Sequence, residues 1–315
     1  TSSLRRSMVL FCETRAKENV VWHREILKFA PARDIVRETE NYKRYVKPHL
    51  QHQYTALVLD NKVPWDLGII RYTDETTGRR RRFTEWYADT RQVNKIKKAI
   101  NHLYKTVLKP WYDLNKGEVN KSKQNIFEYY IDPERFKRFS KNINSFAKRE
   151  NTVNVDPFVG LINPVTWAEH NKDQSKFQTY WGTLVHGDLH SGNIIVDDEA
   201  RTYIVDYERT GPGYYLRDFV ELEKDVRLRL LKLEDNEILL ALHLDLILMR
   251  QINPDRIPRW EDPTLFVTKI TKEKKDELRK AFTAICSIRR NAHFVAGLTD
   301  MREYYWALLM ETLIS

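Results

Sequence analysis

The sequence predicts an α+β chain in two lobes, a small antiparallel sheet over residues 1–74 and a mainly helical remainder over 75–315. Three observations carry this. Strand-like runs rich in Val, Ile, Tyr and Phe concentrate before Tyr72, and apolar residues recur at helical spacing after Thr84. Between them, Asp74 to Gly78 is turn-rich and breaks the two patterns apart, which places the lobe boundary there. A length of 315 residues holds either one large domain or two lobes around a shared cleft.

In chain order, Met8–Cys12 reads as a first strand and residues 19–30 as a second, with a charged turn over Glu13–Glu18. On the second strand Ile26, Lys28 and Ala30 share one face, and a lysine beside small and apolar residues is a candidate phosphate anchor. Pro31 ends that strand, and Asp34–Val46 reads as a helix carrying Glu38 and Glu40. Tyr54–Asp60 and Leu67–Tyr72 complete the sheet. Helices are expected over Thr84–Asp89, Thr90–Leu108, Leu216–Leu231, Asp235–Met249, Lys272–Asn291 and Asp300–Leu313, their leucine and aromatic stripes forming the core. Residues 115–175 carry no decodable motif, and Arg209–Gly213 reads as a turn.

The most informative stretch is Trp181–Val185, read as a strand, then His186-Gly187-Asp188-Leu189-His190-Ser191-Gly192-Asn193 and a hairpin. The hairpin pairs Ile194–Val196 with Tyr203–Val205 across the polar turn Asp197–Ala200, and Asp206 follows it. Asp188 and Asn193 before the hairpin and Asp206 after it bring three oxygen-bearing side chains to one mouth. Mg²⁺-assisted phosphoryl transfer needs such a set: a carboxylate to orient or deprotonate a hydroxyl, and hard oxygens for the metal. The plainer alternative is a surface loop that happens to contain these residues.

This stretch resembles the catalytic segment of the aminoglycoside phosphotransferase and choline kinase branch of the protein-kinase-like fold, which writes its catalytic loop H-G-D-x-H-x-x-N. The resemblance implies a two-lobed kinase-like fold and an ATP-dependent transfer of the γ-phosphoryl group to a hydroxyl. In its terms Asp188 is the catalytic base or hydroxyl orienter, while Asn193 and Asp206 hold Mg²⁺. Lys28 contacts the phosphates and Glu38 holds it, with Glu40 as second choice. Ile70 and Tyr72 lie where the fold crosses between lobes, with backbone facing adenine. Asp218 matches the acid that braces the catalytic loop, though a helix N-terminal acid favoured by the dipole is an equal reading. His186 reads as a structural donor, because Mg²⁺ disfavours imidazole, and the role of His190 is open. Asp206-Tyr207-Glu208 departs from the D-F-G of protein kinases, and the turn between the first two strands lacks glycine. Glu221, Glu223 and Asp225 could face a cationic acceptor, although Lys224, Arg227 and Arg229 offset them.

Composition narrows the alternatives. Eight Trp supply apolar mass for a folded core, and two distant cysteines, Cys12 and Cys286, fit a reducing, cytoplasmic setting rather than a disulfide framework or zinc site. The longest apolar run, Ile238–Met249, is too short and too polar for a membrane span. The net charge of +9 gathers at Arg79–Arg82, Lys95–Lys98 and Lys272–Lys275. These read as solvated basic surface; the sharper reading is an acidic protein partner, while a nucleic-acid groove lacks interleaved aromatics. The rival to an enzyme is a kinase-like regulatory module of a larger signalling protein, which the missing glycines and the opening Thr1 favour. An intact Asp188, Asn193 and Asp206 set argues for the enzyme.

Overall fold

In the computed structural model the described residues are 8–15, 22–73, 80–114, 122–130, 150–155, 158–179, 181–234, 237–250, 252–256, 258–261 and 270–314. The first strand, β1 (Met8–Arg15), pairs antiparallel with β2 (Trp22–Pro31), Met8 opposite Phe29 and Arg15 opposite Trp22. β1 thus runs past Cys12, because a backbone ladder is not interrupted by charged side chains; residues 16–18 of the expected turn and 19–21 of the expected second strand lie outside the described residues. With β3 (Val58–Lys62) and β4 (Leu67–Thr73) the sheet order is β1-β2-β4-β3.

Pro31 closes β2 and leads straight into α1 (Ala32–Asn41), which continues as a wider turn through Tyr42–Val46. α1 lies on β4, with Ile35 and Ile70 fully buried between them. Gly68 permits the close approach: a Cβ there would meet the Ile35 Cβ at 2.6 Å.

Ile70 and Tyr72 do not lie at a crossing. β4 is an inner strand, Ile70 standing opposite both Lys28 and Asn61 and Tyr72 opposite both Ile26 and Val58. Its backbone groups are used by the ladders, which corrects the expectation that they face adenine. The crossing comes after Thr73. Residues 74–79 lie outside the described set, and Arg80–Arg82 then pairs with Ile194–Asp197 on the side opposite Thr202–Ile204, making a three-stranded sheet.

The described part of the basic run is therefore strand rather than free surface. The Arg80 guanidinium lies 3.4 Å from the Tyr203 ring centre, and Arg81 pairs with Asp89 at 2.6 Å.

The second lobe is mainly helical, as expected. Phe83–Asp89 and Val93–His102 open it, the latter extended by a wider turn to Val107. Arg217–Asp225, Lys272–Phe294 and Met301–Leu313 pack around them, with Tyr104 stacked on Phe219 at 4.2 Å. Side-chain caps from Thr271 and Asp300 start the last two helices.

One further expectation is corrected. Gly211–Tyr214 is a strand paired with Trp181–Val185, not a turn; Gly213 leaves room that a Cβ would take from Val185 Cγ2 at 2.7 Å. In Ile238–Met249 only one face is core: Leu240, Leu244, Ile247 and Leu248 are buried while Leu239, Leu242, Leu246 and Met249 are exposed. Among the described residues no helix is long and apolar enough to cross a membrane.

Candidate active site

The hairpin Ile194–Asp197 and Thr202–Ile204 sets the geometry, with Ile194 opposite Ile204. Val205 N–H donates to the Asn193 carbonyl at 3.1 Å, so Asn193 and Asp206 flank the same open end. Asp206 adopts φ +71°, a left-handed conformation uncommon for a residue with a Cβ, which turns its side chain out of the strand path.

There it meets the first lobe. Lys28 Nζ lies 2.9 Å from Asp206 Oδ1 and donates to Glu38 Oε2 at 2.8 Å. Glu38 is the innermost member: Tyr72 OH and the Tyr207 N–H (3.0 Å) both donate to its Oε1. Glu40 is exposed on the same helix, so α1 chooses Glu38. Tyr72 thus contributes through its hydroxyl.

Charge neutralisation sets the protonation of this triad. Burial works against the Lys28 ammonium, but Glu38 and Asp206 outweigh it and hold the lysine above its ordinary pKa. Burial likewise opposes ionised Asp206, yet Lys28 keeps it below the usual carboxylate range. Glu38 is pushed up, by burial and by the neighbouring Asp206. The Asp206 side chain is 30% exposed against 6% for Lys28 and 0% for Glu38, so it is the member open to a ligand.

Asp188 lies on the loop before the hairpin. Arg209 Nη1 holds its Oδ1 at 3.0 Å, and Asn193 Nδ2 donates to its backbone carbonyl at 2.9 Å. His190 Nε2 is 3.9 Å from Asp188 Oδ2; its Nδ1 accepts the Gly192 N–H, and burial lowers its pKa, so the ring is neutral. His186 is fully buried and donates from Nε2 to the Val205 carbonyl at 3.0 Å. That bond fastens the loop to the hairpin. Gly187 sits at φ +77°, where a Cβ would meet the Arg209 carbonyl at 2.4 Å.

Behind the loop, one face of the helix Arg217–Asp225 receives its amides. Asp218 accepts from His186 N (2.8 Å) and Gly187 N (2.9 Å), Glu221 from Leu189 N (3.0 Å), and Asp225 from Ser191 N (2.7 Å). Asp218 is therefore a brace, not merely a helix-start acid. Glu221 and Asp225 serve the same purpose, and Asp225 also pairs with Arg229 at 3.2 Å. Glu223 points elsewhere, into a buried cluster with Arg289 (2.7 Å), Arg227 (2.9 Å) and Tyr304 (2.8 Å). The spacing of 218, 221 and 225 at i, i+3 and i+7 was the available signal for a single acidic face. Nothing in the spacing announced Arg209.

Among the described residues no group of three or more His, Cys, Asp or Glu side chains is arranged to hold a metal ion. Asn193 and Asp206 at one mouth offer an amide and a carboxylate. That set fits Mg²⁺, which takes one or two protein oxygens and completes its shell with phosphate and water.

Residues 133–313 match the family model described as ternary complex associated domain 9. The chain belongs to this family. The match covers the loop His186–Asn193, Asp206 and the bracing helix, and leaves out Lys28 and Glu38.

No curated protein matches the chain in sequence. Among solved structures, the aminoglycoside phosphotransferase APH(3'')-Id from Streptomyces rimosus ATCC10970 is similar at 12% identity, TM-score 0.39, covering 88% of this chain and 92% of that one. A thermostable mutant of the aminoglycoside phosphotransferase APH(4)-Ia, in its apo form, is similar at 11% identity, TM-score 0.42, covering 96% of this chain and 92% of that one.

Proposed function

We propose that this family member is an ATP-dependent phosphotransferase that moves the γ-phosphoryl group to a hydroxyl of a small-molecule acceptor. The observation that carries the reading is the triad of Lys28, Glu38 and Asp206, drawn from both lobes and set beside Asp188 and Asn193 at one hairpin mouth. Residues 1–74 then form the lobe that covers the nucleotide, and residues 75–315 the lobe that binds the acceptor.

Lys28, held by Glu38, presents its charge to the nucleotide phosphates. Asn193 and Asp206 are the residues that would hold Mg²⁺, which supplies charge neutralisation on the phosphate oxygens when bound. Asp188 orients the acceptor hydroxyl and takes its proton as the oxygen attacks phosphorus and the bond to ADP breaks. Arg209 fixes the Asp188 carboxylate for that task.

A second reading is a kinase-like regulatory module within a larger assembly. The family description, a domain associated with a ternary complex, favours it, as does a lysine already satisfied by two carboxylates. Phosphorus-detected turnover of Mg²⁺-ATP, with pooled alcohols including kanamycin, separates the two. The enzyme reading expects a phosphorylated acceptor or slow ATP hydrolysis that Asp188→Asn removes. Binding of ATP without either product would transfer the assignment to the module.

A further inference from the structure

Glu221 occupies a place that the proposed phosphotransfer leaves unexplained. It is buried, and its Oε2 accepts the N–H of Leu189, the residue directly after Asp188. Its surroundings are charged on every side. Glu311, on the helix Met301–Leu313, repels it most, followed by Asp188; Lys224 and Arg217, on its own helix, attract it. Tyr130, from Ile126–Tyr130, and Tyr104, from Leu103–Val107, face the same group, and both hydroxyls are driven far above the range in which they ionise.

The cations are not equally shared. Lys224 Nζ pairs with Glu311 at 2.8 Å, and among the described residues no cation lies within ion-pair distance of Glu221. Of two buried carboxylates that repel each other, the one without a paired cation keeps its proton longer. Resting on the phosphotransfer reading for its catalytic consequence, we infer that Glu221 is a positioning residue that sets Asp188 through the Leu189 amide, and that it exchanges one proton while doing so.

Burial, Glu311 and Asp188 push its carboxyl up to about 8. Near neutral pH the brace is therefore a neutral acid accepting an ordinary hydrogen bond. At higher pH it becomes a carboxylate, the bond from Leu189 strengthens as a charge-assisted one, and a negative charge arrives behind Asp188. Asp218 and Asp225 accept their amides from the same helix face, so the loop is held at three points, and Glu221 is the one bonded to the residue directly after Asp188.

The test needs no acceptor. In protein labelled with ¹⁵N-leucine, the Leu189 amide is followed from about pH 6 to about pH 10. The expected result is one inflection near 8, its loss in Glu221→Gln, and a lower midpoint in Glu311→Gln, where the like charge is removed and Lys224 is released. Glu221→Gln keeps an oxygen for Leu189 and so preserves the fold.

A flat Leu189 titration in the unaltered protein, or an inflection that survives Glu221→Gln, overturns the inference. Where turnover is measurable, the kcat profile carries the same inflection and Glu221→Gln removes it, with KM for ATP within about twofold. A protein that binds ATP without turnover would sink the phosphotransfer reading alone, because the amide titration is read independently of it.

Discussion

On the sheet side of the hairpin that ends at Asp206, Lys28 ties Glu38 to Asp206 by ion pairs of 2.8 and 2.9 Å, joining residues from two lobes. On the opposite side, Asp218, Glu221 and Asp225 accept four backbone amides from residues 186–191. Both regions bury carboxylates, but they neutralise them differently. In the triad a full positive charge answers the negative ones, so Asp206 stays ionised and pKa falls. In the brace the direct partners of Asp218 and Glu221 are backbone amides, so burial wins and both are raised. An ion pair can be opened by a ligand that offers a better charge. A set of amide bonds cannot exchange partners so easily, and fixes geometry instead.

Breaking the brace is expected to have the largest effect. Asp218→Ala strands the N–H groups of His186 and Gly187 in a fully buried place, at about 1–3 kcal/mol each. Urea unfolding at neutral pH should show a loss of about 4 kcal/mol, somewhat offset because a buried acid is removed as well. A loss under about 1 kcal/mol would mean that water replaces the carboxylate and that the brace is not rigid.

Asp188 lies on the loop before the hairpin, its carboxylate held by Arg209. Asp188→Asn should lower turnover at least about a hundredfold, near 2.7 kcal/mol in barrier height, while Mg²⁺-ATP affinity stays within a few-fold. An active protein whose turnover is unchanged by this substitution would remove Asp188 from the chemistry and leave the loop a structural feature.

The pH response distinguishes the two kinds of carboxylate more finely. A carboxyl raised from 4.5 to about 8 binds more protons folded than unfolded, so its contribution to stability is lost as pH rises through that window. A lowered carboxyl such as Asp206 acts oppositely, its contribution being lost as pH falls through the acid range. Glu221→Gln should therefore stabilise the protein at pH about 9 relative to pH about 5, by on the order of 2 kcal/mol compared with the unaltered chain. Thermal unfolding at the two pH values measures it; identical shifts at both would show that Glu221 does not titrate in the window.

The smallest expected effect sharpens the triad. Lys28→Met removes the charge offered to phosphates, and should weaken ATP binding by about tenfold while leaving adenosine within about twofold. Calorimetric titration of the two ligands checks this. Equal losses for both would indicate damage to β2 rather than loss of a phosphate contact.

The sequence by itself determined the fold class, the first sheet with its helix, most of the later helices and the residues of the hairpin mouth. Asp188, Asn193 and Asp206 were legible because a two-strand hairpin is local: fixed spacing and a polar turn bring its ends together whatever surrounds them. Lys28 and Glu38 were legible as candidates, one on a strand face and one on the next helix. That they meet Asp206 was settled by the packing of α1 onto β4 and of that lobe onto the hairpin, through Asn41 Nδ2 bonded to the Tyr207 and Glu208 carbonyls.

Tertiary structure alone decided the rest. Ile70 and Tyr72 became inner-strand residues because sheet order depends on long-range pairing that periodicity does not encode. Glu221 and Asp225 became loop braces because a helix face declares only that it is acidic; which amides it meets depends on what is laid against it. Buried carboxylates therefore took their function from their partners, Lys28 in one region and backbone amides in the other. A partner's distance and burial are properties of the folded chain.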